Sequence, residues 1–202
     1  MELKNIRLMY INNERKFIFI CCAKSASTSV LNTVRPEFKP DPPPHIRHMS
    51  IETVLSKHPD KKDYFKFAFV RNPWDRIVSC FHDFTQDTSH WNWSRGLLDY
   101  KNFEDFCIKF PDSEWSEWIH FLPLSSRLLI DGKIEMDFVG KYENLQSDFE
   151  KLCKQINMES RELPLYRKSD REKDYRKYFT KDTKKIIEEF YKEDIDNFNY
   201  DF

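Results

Sequence analysis

Two short apolar runs, each followed by a turn and a helical pattern, place the strongest constraint on the fold of this chain. Phe17–Cys22 and Phe65–Val70 have the length and the Phe-, Ile- and Val-rich composition of buried strands, and they are too short for buried helices. A helical pattern over Ser27–Val34 follows the first run. The second is followed by Asn72, which can cap a helix, and Pro73, which suits a first helical position. The repeated strand–turn–helix order predicts an α/β fold with a parallel sheet flanked by helices.

Further segments have patterns typical of a loop, a strand or a helix. Residues 36–44 hold five prolines and are expected to form an extended loop. The apolar residues at 136–140 suggest a third short strand, and Asn144–Ile156 has its apolar residues at the spacing of an amphipathic helix. We also expect a short helix near Phe103–Phe110 and a last helix from about Lys181.

Size, charge and cysteine content narrow the class of protein. The 202 residues suffice for a sizeable core, so we expect one domain over residues 1–202. Thirty-three basic and 34 acidic residues leave a net charge of −1, which argues against nucleic acid or an anionic membrane as partner. The amino-terminal segment shows neither a signal peptide nor a membrane span, so a cytoplasmic location is predicted. Five cysteines without CxxC spacing favour reduced thiols and indicate no disulfide framework and no metal site.

The loop after the first strand, "AKSASTS" (Ala23–Ser29), has the composition of an anion site. A helix N-terminus offers unpaired N–H groups and a partial positive charge, and small side chains let an anion approach the backbone as glycines would. Lys24 adds a full charge. The backbone and hydroxyl donors of this predicted site come from Ser25, Ala26, Ser27, Thr28 and Ser29. The alternative is an ordinary strand-to-helix turn with a serine cap.

This loop differs from the phosphate loop of nucleoside triphosphatases. In the pattern GxxxxGK[ST], glycines frame the loop and the lysine comes late, directly before the hydroxyl that binds magnesium. Lys24 instead comes early in its loop, and the loop contains no glycine. The pattern therefore argues against a kinase, and a nucleotide-binding kinase-like transferase is kept only as an alternative.

A second candidate anion site follows the second strand. Arg71 stands at the end of that strand, and Ser79 lies eight positions later on the predicted helix. A guanidinium that reaches along the first two turns would meet the Ser79 hydroxyl, and its forked donors suit a phosphate. In the alternative, Arg71 pairs with Asp75 and Ser79 is simply a small helix residue. Two anion sites after successive strands indicate one ligand with two phosphate-bearing ends.

These two loops resemble those of the sulfotransferases that use 3'-phosphoadenosine-5'-phosphosulfate, in particular the carbohydrate-type branch. The first loop of that family reads roughly P-K-[TSC]-[AG]-[SC]-T-[ST], and the second reads roughly [FV]-x-R-[ND]-P-[FYW]-[DE]-R-[LI]-V-S, against "FVRNPWDRIVS" here. Blocks at 120–129 and 137–153 and the ending "YKEDIDNFNYDF" are also similar. Ala23 departs from the usual proline of the family, and we expect little effect because it contributes no side-chain donor.

The resemblance implies a P-loop-like parallel sheet and assigns roles to both loops. The first loop, from Lys24 to Ser29, would hold the 5'-phosphosulfate, and Arg71 with Ser79 would hold the 3'-phosphate. By the family pattern, Lys24 also neutralises the charge that builds on the bridging oxygen as the nucleotide leaves, so it is a predicted catalytic residue. Sulfuryl transfer depends on positioning and electrostatics, and no metal is implied.

The acceptor hydroxyl needs a base, and related enzymes place a histidine or glutamate between the two anion loops. His48 lies there, and the ordinary pKa of a histidine suits a general base at neutral pH. His45 is the second candidate. In the alternative, both histidines are surface residues of a proline-rich loop and have no catalytic role. His120 is assigned either an acceptor-side or a structural role, and His82, like His90, a structural one.

The resemblance also implies a carbohydrate hydroxyl as the acceptor. Tryptophans stack on sugar rings, although aromatic residues more often belong to the core, and the candidates are Trp91, Trp93, Trp115 and Trp118. Residues 161–185 hold ten basic and five acidic residues. From this stretch Arg167, Lys168 and Arg171 either close over the nucleotide, meet an anionic acceptor, or form a solvated surface. A non-catalytic module that binds the nucleotide is the other alternative function.

Overall fold

The structure, a computed structural model, describes residues 9–35, 49–86, 94–164, 166 and 170–202. The predicted proline-rich loop at 36–44 lies outside these residues. The chain divides into two compact units. The first unit comprises Met1–Val70 and Leu124–Tyr166, and the second comprises Arg71–Pro123 and Arg167–Phe202.

The first unit contains a four-stranded sheet and a small hairpin. The sheet has the spatial order β1 (Met9–Asn12), β2 (Phe17–Ile20), β3 (Phe65–Val70) and β6 (Phe138–Lys141), and the hairpin consists of β4 (Leu129–Ile130) and β5 (Lys133–Ile134). The pairs β2–β3 and β3–β6 are parallel. The predicted α/β fold with a parallel sheet is therefore confirmed. Neither β1, which pairs antiparallel with β2 at the edge of the sheet, nor the hairpin was predicted from the sequence.

The described residues contain every helix that the sequence predicted, and two short helices at 51–57 and 125–128 that it did not. In chain order they are α1 (Ser27–Val34), α2 (Ile51–Lys57), α3 (Pro73–Gln86), α4 (Phe103–Lys109), α5 (Ser125–Leu128), α6 (Leu145–Gln155), α7 (Lys181–Phe190) and α8 (Lys192–Phe198). The predicted helices at 27–34, 103–110 and 144–156 are confirmed to within one residue at each end. The predicted last helix starts at Lys181 as expected, but a break at Tyr191 divides it into α7 and α8.

Aromatic side chains on one face of the sheet form the core of the first unit. Phe19 of β2 and Phe67 of β3 are partners in the parallel register, and their rings stack with centroids 4.8 Å apart. The same core cluster includes Val30 of α1 and Phe149 of α6, both fully buried. The sheet therefore carries α1 and α6 on this face. This packing fixes the end of β2, from which the first candidate loop leaves.

Gly140 of β6 offers a test of this packing. A Cβ added at Gly140 would lie 2.4 Å from Cε1 of the fully buried Phe69 ring. Gly140→Ala is therefore expected to lower the free energy of unfolding by about 2–3 kcal/mol, because the core must shift to admit one methyl group. Urea denaturation followed by circular dichroism measures this loss.

Gly132→Asn is the matched control. Gly132 has φ 73° with nothing within 4 Å of an added Cβ, and asparagine tolerates the left-handed region. The control should unfold within about 0.5 kcal/mol of the wild type. Equal stability of Gly140→Ala and the control would contradict the close packing of β6 against Phe69.

In the second unit, α3 begins where the sequence predicted. Asn72 Oδ1 accepts hydrogen bonds from Trp74 N at 3.1 Å and from Asp75 N at 3.3 Å, so Asn72 caps the helix as expected. The predicted inner face of α3 is buried and consists of Ile77, Val78 and Phe81. A core rich in aromatic side chains surrounds this face, with members from α3, α4 and α7.

Arg76 is a buried cation in this core, and its burial was not predicted from the sequence. Its side chain is 1% exposed. Nη1 donates to His120 O at 3.1 Å and Nη2 donates to Leu122 O at 3.0 Å. Nη2 also lies 3.7 Å from Asp194 Oδ2, and the guanidinium stands 4.8 Å from the centroid of the Tyr191 ring. Arg76 thus joins α3 to the segment before Pro123 and to α8 within the second unit.

None of the helices in the described ranges combines the length and the apolar character needed to cross a bilayer.

Candidate active site

The loop between β2 and α1 turns without glycine because two other residues adopt the left-handed backbone conformation. Lys24 has φ 60° and Ala26 has φ 58°, values that normally favour glycine. Ala26 is the N-cap of α1, and the helix begins at Ser27 as predicted. The prediction that small residues take the place of glycine fits Ala26. The left-handed conformation of Lys24 has no signal in the sequence.

Two serine hydroxyls of this loop bind the loop's own backbone. Ser27 Oγ donates a hydrogen bond to Cys22 O at 2.6 Å, and Ser25 Oγ donates to Ala23 O at 3.4 Å. Ser25 is fully buried. In this conformation both hydroxyls therefore shape the turn.

The N-terminus of α1 lacks a side-chain cap. Because the N-cap residue is Ala26, the serine cap expected for an ordinary strand-to-helix turn is not formed, and binding of an anion by the loop stays a prediction. The first turn of α1 contains no acidic residue, so no carboxylate there offsets the partial positive charge of the helix end. Lys24 is half-buried and Thr28 is exposed, whereas Ser29 is buried. Lys24 and Thr28 are thus the polar side chains of the loop with the best access to a ligand.

Arg71 follows β3 directly, and its guanidinium reaches the first turns of α3. Nη1 donates to Ser79 Oγ at 3.2 Å, which is the contact expected from their spacing. Nε and Nη2 lie 2.8 Å and 2.7 Å from Asp75 Oδ2, so Arg71 also forms an ion pair with this carboxylate. Arg71 therefore makes both expected contacts, with Ser79 and with Asp75, and the binding of a phosphate by Arg71 and Ser79 stays a prediction. Arg71 is 6% exposed, and Asp75 and Ser79 are also buried.

A second arginine contacts the other oxygen of the same carboxylate. Arg171 Nη2 lies 2.5 Å from Asp75 Oδ1, and Arg171 Nη1 donates to Glu172 O at 3.2 Å. The Arg171 side chain is 9% exposed, so the expectation of a solvated surface is wrong for this residue. Arg171 was a candidate because it belongs to the basic stretch 161–185. Its contact with Asp75, which lies 96 positions earlier, could not be predicted from the sequence.

His120 belongs to an aromatic cluster of the second unit. Its ring centroid lies 4.7 Å from that of Trp118 and 4.9 Å from that of Phe84. Its backbone oxygen accepts the hydrogen bond from Arg76. Trp115 packs edge-on against Trp118 at 5.2 Å and is buried, so Trp115 is a core residue rather than a surface for sugar stacking.

Several predicted site residues lie outside the described residues. They are the two base candidates His48 and His45, together with His90, Trp91, Trp93, Arg167 and Lys168. Their assigned roles stay predictions. The described residues do fix the local geometry of both anion loops, one in each unit.

The part of the chain that the structure describes holds no metal cluster, and its thiols are buried. No group of three or more His, Cys, Asp or Glu side chains there is placed to hold a metal ion. All five cysteines are buried free thiols. Burial raises the pKa of Cys21 and of Cys107, so both stay protonated at neutral pH and are poor nucleophiles.

The structure thus has a glycine-free turn with a lysine at the N-terminus of α1, and an arginine–serine contact at the start of α3. Comparison with known proteins gives the family. A sequence model of the Sulfotransferase family matches residues 4–201, and the chain belongs to this family. Members of the family transfer sulfuryl groups, in general from 3'-phosphoadenosine-5'-phosphosulfate.

Two relatives show how far the similarity extends. Carbohydrate sulfotransferase 9 of Homo sapiens is 29% identical over 186 residues, which cover 77% of this chain and 42% of that protein. An uncharacterized protein of Archaeoglobus fulgidus is 32% identical over 99 residues, which cover 47% of this chain and 69% of that protein. This chain thus spans less than half of the human relative's length.

Proposed function

We propose that this chain transfers the sulfuryl group of 3'-phosphoadenosine-5'-phosphosulfate to a hydroxyl group of a carbohydrate. The observation that carries the proposal is the contact between Arg71 Nη1 and Ser79 Oγ at 3.2 Å, a buried pair of donors shaped for a phosphate. Membership of the sulfotransferase family supports the reaction type. Because the family match runs through both units, we further propose that residues 1–202 make up one sulfotransferase domain.

In this proposal each of the two anion loops binds one of the two phosphate-bearing ends of the donor. The backbone N–H groups at the start of α1, the Thr28 hydroxyl and Lys24 bind the 5'-phosphosulfate. Arg71 and Ser79 bind the 3'-phosphate. The absence of an acidic residue from the first turn of α1 supports the first assignment, because the helix end keeps its attraction for anions.

The transfer is an in-line displacement at sulfur. The acceptor oxygen forms a bond to sulfur while the bond from sulfur to the bridging phosphate oxygen breaks, and that oxygen keeps the electron pair. Lys24 neutralises the charge that develops there, since a positioned cation in a site with little water acts mainly on the transition state. His48 takes the proton of the acceptor hydroxyl, with His45 as the second candidate. No step needs a metal.

The proposal that the acceptor is a carbohydrate rests on the resemblance to carbohydrate-type sulfotransferases and on the name of the human relative. A lipid, a peptide tyrosine or a small metabolite would use the same donor site, so the acceptor is settled by assay. Trp118, half-buried beside His120, is the tryptophan of the described residues that we propose for contact with a sugar.

Calorimetric titration with 3'-phosphoadenosine-5'-phosphate, the product of the donor, tests the proposal. We expect tight binding without magnesium, and a loss of about 100-fold or more in Arg71→Ala, because charge-assisted hydrogen bonds to the phosphate disappear. Ser79→Ala keeps the ion pairs and should lose only about 5- to 10-fold.

Arg95→Ala is the control for the loss of an arginine, because Arg95 is an exposed residue of the same unit. Its affinity for the bisphosphate should equal that of the wild type. Better binding of ATP with magnesium than of the bisphosphate would overturn the proposal in favour of the kinase-like transferase. Binding of the bisphosphate without any transfer to a panel of acceptors would favour the non-catalytic module.

A further inference from the structure

The segment Asp170–Tyr178 is held on one face of α3 by contacts at three levels of the helix. Near the start of α3, Arg171 Nη2 lies 2.5 Å from Asp75 Oδ1. At the end of α3, Gln86 Nε2 donates to the backbone oxygen of Asp170 at 2.8 Å. Between these contacts the His82 ring meets the Tyr178 ring edge-on, with centroids 4.9 Å apart. The segment is therefore fixed to α3 at three points within the second unit.

The contacts of the Gln86 amide determine where the neutral His82 ring carries its proton. Gln86 Nε2 donates to Asp170 O, and a carbonyl oxygen only accepts, so the amide cannot turn its own oxygen toward the segment. The same Nε2 lies 3.4 Å from His82 Nδ1. Nδ1 is therefore the acceptor of this contact, and the proton of the neutral ring is on Nε2.

With the segment in place, the His82 ring has no suitable position for a second proton. A proton on Nδ1 would point at the amide nitrogen of Gln86, which is itself a donor. Nε2 is buried, and no hydrogen-bond partner for it occurs among the described residues. A buried cation whose N–H groups lack acceptors is costly in free energy. The packed segment is thus compatible with neutral His82 and opposes the charged form.

The charged and titratable groups around His82 add to this preference. From the segment these are Arg171, whose charge acts on the ring, and Tyr178, whose ring it contacts. From α4 the neighbour is Phe103, which does not titrate and whose ring centroid lies 6.5 Å away. On α3 itself, Asp83 is adjacent in sequence. Burial, and then the positive charge of Arg171, lower the pKa of His82.

We propose that His82 is a pH-sensitive switch that holds the segment Asp170–Tyr178 on α3 when it is neutral and releases the segment when it is protonated. The inference rests on contacts within the second unit and goes beyond the proposed function. Ser79 lies at helical spacing from both Asp75 and His82, so release uncovers the face of α3 on which the proposed phosphate-binding serine lies.

The direction of the pH dependence follows from the protons that each state binds. In acid the released state binds one proton more than the state with the segment in place. Packing of the segment is therefore at full strength above about pH 6.5, the ordinary pKa of a histidine, and weakens as the pH falls below that value. The weakening ends below the lowered pKa of the packed ring, because both states then carry the proton.

Hydrogen exchange of the backbone amides at 170–178 tests the switch. The rates are read by mass spectrometry from pH 7.5 to 5.5, and each is compared with the intrinsic rate at that pH. We expect protection to be constant down to about pH 6.5 and then to fall by up to about 10-fold per pH unit, the limit for one proton. Glu172 does not contribute, because its hydrogen bond with Lys177 lowers its pKa and keeps it ionised throughout this range.

Two matched variants assign the pH dependence to one histidine. His82→Gln keeps a polar side chain without a titrating proton, so protection should stay within about 2-fold over the whole range. His58→Gln removes a histidine of the first unit and should follow the wild type. Protection in the wild type that does not change with pH would overturn the inference. So would the same loss in acid for His82→Gln.

A third variant and an NMR titration separate loss of the switch from loss of packing. His82→Phe keeps an aromatic ring against Tyr178 and Phe103, so we expect protection that is present and independent of pH. If both His82 variants leave the segment unprotected at pH 7.5, the ring resonances of His82 in the wild type decide. Proton uptake that parallels the loss of protection supports the switch, and uptake without such a loss overturns it. No nucleotide enters these measurements, so their result is independent of the proposed function.

Discussion

Lys24→Ala is expected to lower the turnover of sulfuryl transfer by about 100- to 1000-fold. In the proposed mechanism the lysine acts on negative charge that is greater in the transition state than in the bound donor, so turnover should fall far more than affinity for the nucleotide. Single-turnover assays with the sulfuryl donor and an acceptor measure the first quantity. Calorimetry with the bisphosphate measures the second, which should change by less than about 10-fold.

Lys16→Ala is a closely matched control for this substitution. Lys16 has φ 52° and Lys24 has φ 60°, so alanine enters a left-handed position in both variants. Lys16 is exposed in the turn between β1 and β2 and is assigned no part in binding. If the backbone conformation rather than the charge explained the loss, both variants would lose activity alike. Turnover in Lys24→Ala within about 3-fold of the wild type would rule out the assigned role.

Arg76→Leu is expected to lower the free energy of unfolding by about 3–5 kcal/mol. The leucine fills much of the volume, but it leaves the buried carboxylate of Asp194, 1% exposed, without this counter-charge. The backbone oxygens of His120 and Leu122 also lose their donors in the core. Urea denaturation followed by tryptophan fluorescence measures the change, since the chain has five tryptophans.

Two further variants show whether the buried charge is the cause. Arg176→Leu removes an exposed arginine whose ion pair with Asp174 is open to solvent, and it should cost less than about 1 kcal/mol. In the double variant Arg76→Leu with Asp194→Asn, the cost should be smaller than the sum of the single costs, because the second change removes the stranded charge. Additive costs would mean that Arg76 and Asp194 do not interact in the folded chain.

The sequence predicted the fold well where local patterns decide the structure. The apolar runs at 17–22 and 65–70, the Asn72 cap and the amphipathic pattern of α6 all depend on neighbouring residues, and all three are confirmed. Strand β1 was missed because the charged residues around it hide its short apolar run. Its pairing with β2 comes from the sheet edge and not from its own composition.

The candidate site, too, could be predicted only where its contacts join residues that are close in sequence. Arg71, Asp75 and Ser79 lie at helical spacing, so their contacts could be anticipated from the sequence. Arg171 and Asp194 meet their partners on α3 from positions about a hundred residues away, and no periodicity records such a pairing. The left-handed turn at Lys24 was also hidden, because a lysine gives no hint of that backbone conformation.

The five buried thiols have a practical consequence. Cys21, Cys22 and Cys153 belong to the first unit, whereas Cys80 and Cys107 belong to the second. An alkylating reagent reaches a buried thiol only after the structure around it opens, so labelling rates read by peptide mass spectrometry report local opening. The natural cysteines therefore report the rate of local opening separately for each unit. Comparing the labelling rates with and without the bisphosphate would show, without any added probe, whether this nucleotide slows the opening of either unit.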